Sequence, residues 1–329
     1  MNVVKVLSID GGGIRGIIPA LLLSEIERLT GKYIADLFDL IVGTSTGAVL
    51  TLGLTKPDDN LSPVYRASDL MRFYEQDGAY IFSKTLWRNL RTAWGLADER
   101  YNDARLEEVL EKYFGTTTLK DSLADVVITA YEIERRFPFF FKSRKSKFAR
   151  NYNFLMKDIV RASTAAPTYF EPKKIPTEDS SEYFSLIDGG VFANNPAMCG
   201  YVEALTIFPE AKSVLLVSLG TGHQTRSIMH ENAKGWGLAQ WAVPILDTVF
   251  DGISDTVDYQ LKQILDDYNG MQMYFRFQPT LEEVNQSLDD ASPENIRKLK
   301  LLAETLVRER QRDIQTLSEM LLLFSQPST

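Results

Sequence analysis

Residues 3–9 are apolar apart from Lys5 and Ser8 and largely β-branched, the pattern of a strand buried in a sheet. That run stops at Gly11-Gly12-Gly13-Ile14-Arg15-Gly16, after which Ile18, Leu22, Ile26 and Leu29 recur at helical spacing up to Gly31. The plan then repeats. A short apolar strand, Leu37 to Val42, enters Gly43-Thr44-Ser45-Thr46-Gly47 and gives way to an apolar helix through about Leu54. Further strands are predicted at Val126–Tyr131, Phe184–Ile187 and Val214–Ser218, so the order is that of an α/β protein with a mostly parallel central sheet. Near the end, Ser292 reads as an N-cap with Pro293 behind it. Ile296, Leu299, Leu302, Leu306 and Ile314 continue as one amphipathic helix, expected to pack on the body rather than lie in a membrane interface.

The chain has 329 residues, 44% of them hydrophobic, enough for one large domain. No repeat or low-complexity linker divides it, and the polar stretch around Thr177–Glu182 has the length of an ordinary loop. A formal charge of −8 argues against a protein that binds a nucleic acid polymer through net charge. One cysteine, Cys199, supports no disulfide framework, and two histidines far from any cysteine pair make no zinc pattern, so neither cofactor nor metal is expected. Reducing, cytoplasmic surroundings fit best, since the start of the sequence lacks the layout of a secretion signal. No apolar run reaches the roughly 18 residues that a membrane-spanning helix needs, so membrane contact is expected to be peripheral.

Gly43-Thr44-Ser45-Thr46-Gly47 has the form of a sharp strand-to-helix turn that lifts a serine hydroxyl into the open above a helix N-terminus. An ordinary tight turn would read the same way. Gly11 to Gly16 formally matches a dinucleotide-binding fingerprint, the motif of a nicotinamide-dependent oxidoreductase. However, the next strand ends in the serine turn, and Asp36 and Asp39 precede or begin it. An oxyanion hole suits the glycines better, because amides without side chains can converge on a carbonyl oxygen under attack, with Arg15 adding positive charge. Asp188-Gly189-Gly190 closes an apolar stretch and would bring a carboxylate to a serine on a neighbouring strand, although Asp-Gly is also a common turn. Ser45, Asp188 and His223 stand in the order of a conventional triad, but nothing besides order recommends His223.

Together, Asp10 to Gly16, Gly43 to Gly47 and Asp188 to Gly190 resemble the patatin-like phospholipase family. Supporting matches are Arg161 to Phe170, Asn194-Asn195-Pro196 and Ser218-Leu219-Gly220-Thr221-Gly222. The resemblance implies a three-layer α/β/α fold and a serine hydrolase of phospholipase A type acting on glycerolipids or phospholipids. Ser45 would be the acylated nucleophile, Asp188 its base, and Gly12, Gly13 and Arg15 the oxyanion site. It covers about Val3 to Gly222, so 3–222 is expected to form the catalytic core and 223–329 a helical segment packed on it as cap or regulatory part. Short patatin-like proteins also resemble antiphage effectors switched on by a cyclic nucleotide, which implies such an activator. The competing expectation is a catalytically silent lipid- or nucleotide-binding module on the same fold.

Two segments are candidates for membrane contact. From Arg135 to Arg150, seven basic residues stand among Phe137, Phe139, Phe140 and Phe141 with no acidic residue, which suits anionic headgroups; alternatively Phe139–Phe141 are buried strand residues. From Phe82 to Trp94, Leu86, Trp87, Leu90 and Trp94 with Arg88 and Arg91 could make an interfacial helix or a lid.

Overall fold

The computed structural model describes residues 3–83, 101–225, 227–241, 244–265, 267–282 and 284–325. Eight strands form one sheet: β1 (Val3–Ile9), β2 (Leu40–Thr44), β3 (Asp125–Glu132), β4 (Phe137–Lys142), β5 (Lys173–Pro176), β6 (Tyr183–Asp188), β7 (Ser213–Leu219) and β9 (Tyr274–Phe277). The order is β5-β6-β3-β2-β1-β7-β9, with β4 also on β3. The β3-β2-β1-β7-β9 block is parallel, and β4, β5 and β6 add antiparallel pairings at one side. A separate parallel pair joins β8 (His223–Gln224) to β10 (Thr280–Leu281).

Three layers follow from the two faces of the pleat. In β1, Val3, Leu7 and Ile9 face the larger core, while Val4 and Val6 face a smaller one. Helices α1 (Ile17–Thr30), α2 (Thr46–Thr55), α3 (Asp103–Phe114), α4 (Met156–Ser163), α7 (Pro293–Glu309) and α8 (Gln311–Phe324) supply the larger core. Helices α5 (Ala197–Ile207) and α6 (Pro244–Ile264) cover the other face through Ala197, Ala204 and Leu261. All ten residues of α2 are buried, which explains why its sequence has no polar face.

Several expected boundaries move. Leu37 ends a short helical turn, Ile34–Leu37, and the strand begins only at Leu40. Ser292 caps α7, its hydroxyl accepting from Asn295 N–H, but the helix stops at Glu309 and Ile314 lies on α8. Arg310 sits at the break, where its guanidinium donates to Asp313 and to the carbonyl of Arg276. Beyond Gly222 the chain is not only helical, since β9 extends the main sheet beside β7.

Candidate active site

The register of β3 brings the two key side chains together. Thr129 pairs with Thr44 on β2 and with Phe140 on β4; the next residue, Ala130, pairs with Phe139 on β4 and with Asp188 on β6. A strand has only two lateral edges, so β4 occupies one and β2 and β6 meet end to end along the other. Where β2 stops at Thr44 and turns at Ser45, β6 arrives from the opposite direction and stops at Asp188.

Ser45 Oγ donates to Asp188 Oδ2 at 2.6 Å. The serine holds φ 55° and ψ −119°, a conformation unfavourable for any residue with a side chain. Close packing imposes it: a Cβ on Gly47 would collide with the Ile9 carbonyl, so the first turn of α2 lies directly against β1. Side chains at Gly16, Gly43 and Gly189 would likewise collide with Thr46, the Gly47 carbonyl and Thr129 respectively. The Ser45 N–H donates to Ser163 Oγ at 2.9 Å, and that hydroxyl in turn donates to the Thr129 carbonyl at 2.8 Å. Thus α4 fixes the serine backbone. Asp188 is 2% exposed, and its second oxygen accepts the Gly190 N–H at 2.7 Å. Burial pushes its carboxyl up to about 6, opposed by the bonds from Ser45 and Gly190.

Opposite the serine, the glycine turn presents amides. Gly11 N–H donates to the Asn194 carbonyl, Ile14 N–H to the Leu288 carbonyl and Arg15 N–H to the Gly12 carbonyl. Between them, the N–H groups of Gly12 and Gly13 have no acceptor among the described residues. Gly13 has φ 56°, and a Cβ there would collide with the Leu288 carbonyl. Arg15 is buried; its Nε donates to the Gly12 carbonyl at 3.3 Å, and its charge faces Asp251 and Asp247 on α6.

Ser45, Asp188, Gly12 and Gly13 line one cavity of about 70 Å³ whose other walls include Val49, Phe73, Ile81, Phe82, Leu106 and Phe170. Roughly 10–15 Å³ admits a water, so open space already adjoins the serine. The surroundings are those an acyl chain would select.

Other expected positions lie elsewhere. His223 is exposed, and its imidazole forms no hydrogen bond with Ser45 or Asp188. Phe139 and Phe141 are buried in β4 against Phe154 and Phe184, so the strand reading of that segment holds. Four of its cations have acidic partners: Arg135 with Glu182, Lys142 with Glu203, and Arg144 and Lys147 with Asp125. Leu86, Trp87, Arg88, Leu90, Arg91 and Trp94 lie outside the described residues. Ser163, Asn194, Thr221 and Leu288 were given no role by sequence reasoning. The first three sit inside motif runs, and only their neighbours' chemistry in space reveals what they hold.

The family model for patatin-like phospholipases matches residues 7–199. Patatin-like protein 4 of Arabidopsis thaliana is 32% identical over 93% of this chain and 84% of its own length. Patatin-like protein 2 of Oryza sativa subsp. indica is 33% identical with the same coverages. A potato protein, probable inactive patatin-3-Kuras 1 of Solanum tuberosum, is 32% identical over 94% of this chain and 87% of its own. With two thirds or more of each chain aligned above 30% identity, and with the serine turn, glycine turn and aspartate turn assembled around one cavity, this chain belongs to the patatin-like phospholipase family.

Proposed function

We propose that the chain hydrolyses acyl esters of membrane glycerolipids, as a phospholipase A type enzyme, through Ser45 and Asp188. One observation carries this reading: a serine hydroxyl 2.6 Å from a buried carboxylate, at the wall of a largely apolar cavity also lined by Gly12 and Gly13, whose amides have no acceptor among the described residues. A relative named as probably inactive shares as much identity as the others, so similarity by itself does not argue for turnover.

In the first half-reaction Ser45 Oγ attacks the ester carbonyl while its proton passes to Asp188. The carbonyl oxygen becomes an anion beside the Gly12 and Gly13 N–H groups, which favour the transition state because no solvent must reorganise. Collapse expels the alcohol of the lysolipid, protonated by Asp188, and leaves an acyl-serine. Water then attacks with Asp188 as base, and a fatty acid leaves as the Ser45 proton returns. Neither half-reaction uses the His223 ring.

A fluorophosphonate probe tests the nucleophile: labelling that disappears in Ser45→Ala is expected, and undiminished labelling refutes the assignment. Mass spectrometry of a mixed bilayer before and after exposure should show a free fatty acid and a lysolipid. The control of an antiphage effector by a cyclic nucleotide, and transient docking at a membrane surface, belong to the same proposal on the strength of the resemblance. Equal turnover with and without a cyclic dinucleotide removes the former.

A further inference from the structure

We propose that Thr221 is a positioning residue for catalysis: its hydroxyl fixes the Gly11–Gly12 peptide and so aims the Gly12 N–H at the carbonyl oxygen under attack. This rests on the proposed acyl chemistry at Ser45 and assigns one of its parts to a residue beyond the stretch that the family model matches.

The placement follows from register. Ile9 at the end of β1 lies opposite Leu219 at the end of β7, and Asp10 N–H still donates to the Leu219 carbonyl. Two residues further on, the glycine turn and the Gly220-Thr221-Gly222 turn run side by side. Thr221 is 3% exposed, and its Oγ1 donates to the Gly11 carbonyl at 2.6 Å. The Gly220 and Gly222 N–H groups are themselves anchored, on the Phe277 carbonyl and on Gln278 Oε1, so the threonine stands on a fixed base.

A trans peptide is planar, with its C=O and N–H pointing in opposite directions. Holding the Gly11 oxygen therefore sets the direction of the Gly12 N–H on the far side of the same plane. The neighbouring peptide is treated alike, since the Gly12 carbonyl accepts Arg15 N–H at 3.1 Å and Arg15 Nε at 3.3 Å, which sets the Gly13 N–H. Glycine has no Cβ to restrict these peptides, so external holds must supply the orientation that a preorganised site requires. Thr221 also leaves no room for a side chain at Gly12, whose Cβ would overlap the threonine's Oγ1, Cβ and Cγ2.

The test compares Thr221→Ala and Thr221→Ser with the parent on a long-chain ester, scoring kcat and KM separately. It also measures affinity for a long-chain trifluoromethyl ketone, whose adduct on a serine carries the oxyanion. Losing an oxyanion donor outright costs about 10²–10³ in kcat, so a misaimed donor in Thr221→Ala should cost about 10- to 100-fold. KM should stay within about threefold, ketone affinity should fall by the same factor as kcat/KM, and Thr221→Ser should recover activity to within about threefold. Parental kcat in Thr221→Ala overturns the proposal, as does a Thr221→Ser variant no better than Thr221→Ala. Should the alanine variant not fold, Thr221→Cys replaces the hydroxyl with a weak donor of similar size, and a kcat within twofold of the parent overturns it. A parent protein that neither cleaves esters nor labels at Ser45 removes the underlying reading instead, a result separate from any difference among Thr221 variants.

Discussion

A carboxylate that ionises near pH 4 in water holds a proton too weakly to draw one from a serine hydroxyl. Burial pushes Asp188 up to about 6, which makes it a better base and also a burden on the fold. As the proposed base, Asp188 would work deprotonated, so kcat/KM should rise about tenfold per pH unit up to about 6 and then level off; a pH–rate profile flat from 4 to 8 contradicts the assignment. The stability sign is opposite. Because the folded protein binds this proton more tightly than the unfolded chain, Asp188 favours folding most at low pH, and that contribution is lost as pH rises from about 4 to about 6. Asp188→Asn should therefore lower kcat by roughly 10²–10⁴ while raising the melting temperature at pH 8. His223→Ala should leave most activity, because its ring touches neither partner. Ser45 carries a second burden in its φ of 55°: such strain costs about 1–3 kcal/mol, so Ser45→Gly should melt higher than Ser45→Ala, and neither variant should turn over ester.

The elements explain why two side chains 143 residues apart meet. Strand β3 serves as a common template, and β2 and β6 end against each other along one of its edges. Helix α4 contributes Ser163, which ties the Ser45 amide to the Thr129 carbonyl and thus ties the elbow to that template. Ser163→Ala would remove the acceptor of the Ser45 N–H and a donor to the Thr129 carbonyl, at a cost of about 1–3 kcal/mol measured by chemical denaturation, and should lower turnover without altering Asp188. Periodicity in the sequence reveals β1, β2, β3, β6 and β7, and glycine spacing marks the three turns. Periodicity does not reveal that β6 runs antiparallel, because a strand's direction comes from its partner and not from its own residues. Nor does it separate β4 from a basic, aromatic surface, since Phe139 and Phe141 point inward while cations such as Lys142 and Arg144 reach acids from other segments. The holds on the glycine turn were beyond reach for the same reason: Asn194 and Leu288 act through backbone carbonyls, which any residue possesses.

Across the whole molecule, the last hundred residues build the site as much as the first fifty. Arg276 on β9 meets Asp10 Oδ2 at 2.7 Å and also donates to Ser218 and Ser254; the two charged side chains are 9% and 2% exposed. Arg276→Gln would strand a buried carboxylate at the root of the glycine turn, a loss of about 3–5 kcal/mol, whereas pairing it with Asp10→Asn should recover much of that. Thermal melts of the two single variants and the double variant check this; additive losses would show that the pair is not coupled.

The ion pair between residue 10 and residue 276 joins a segment made early in synthesis to one made late. Ser45 and Asp188 are both made before Arg276, so a nascent chain carries the proposed dyad before Asp10 has its counter-ion. Stalled chains that end short of 276 should stay unlabelled by a fluorophosphonate, and reactivity should switch on only once the final helices are synthesised.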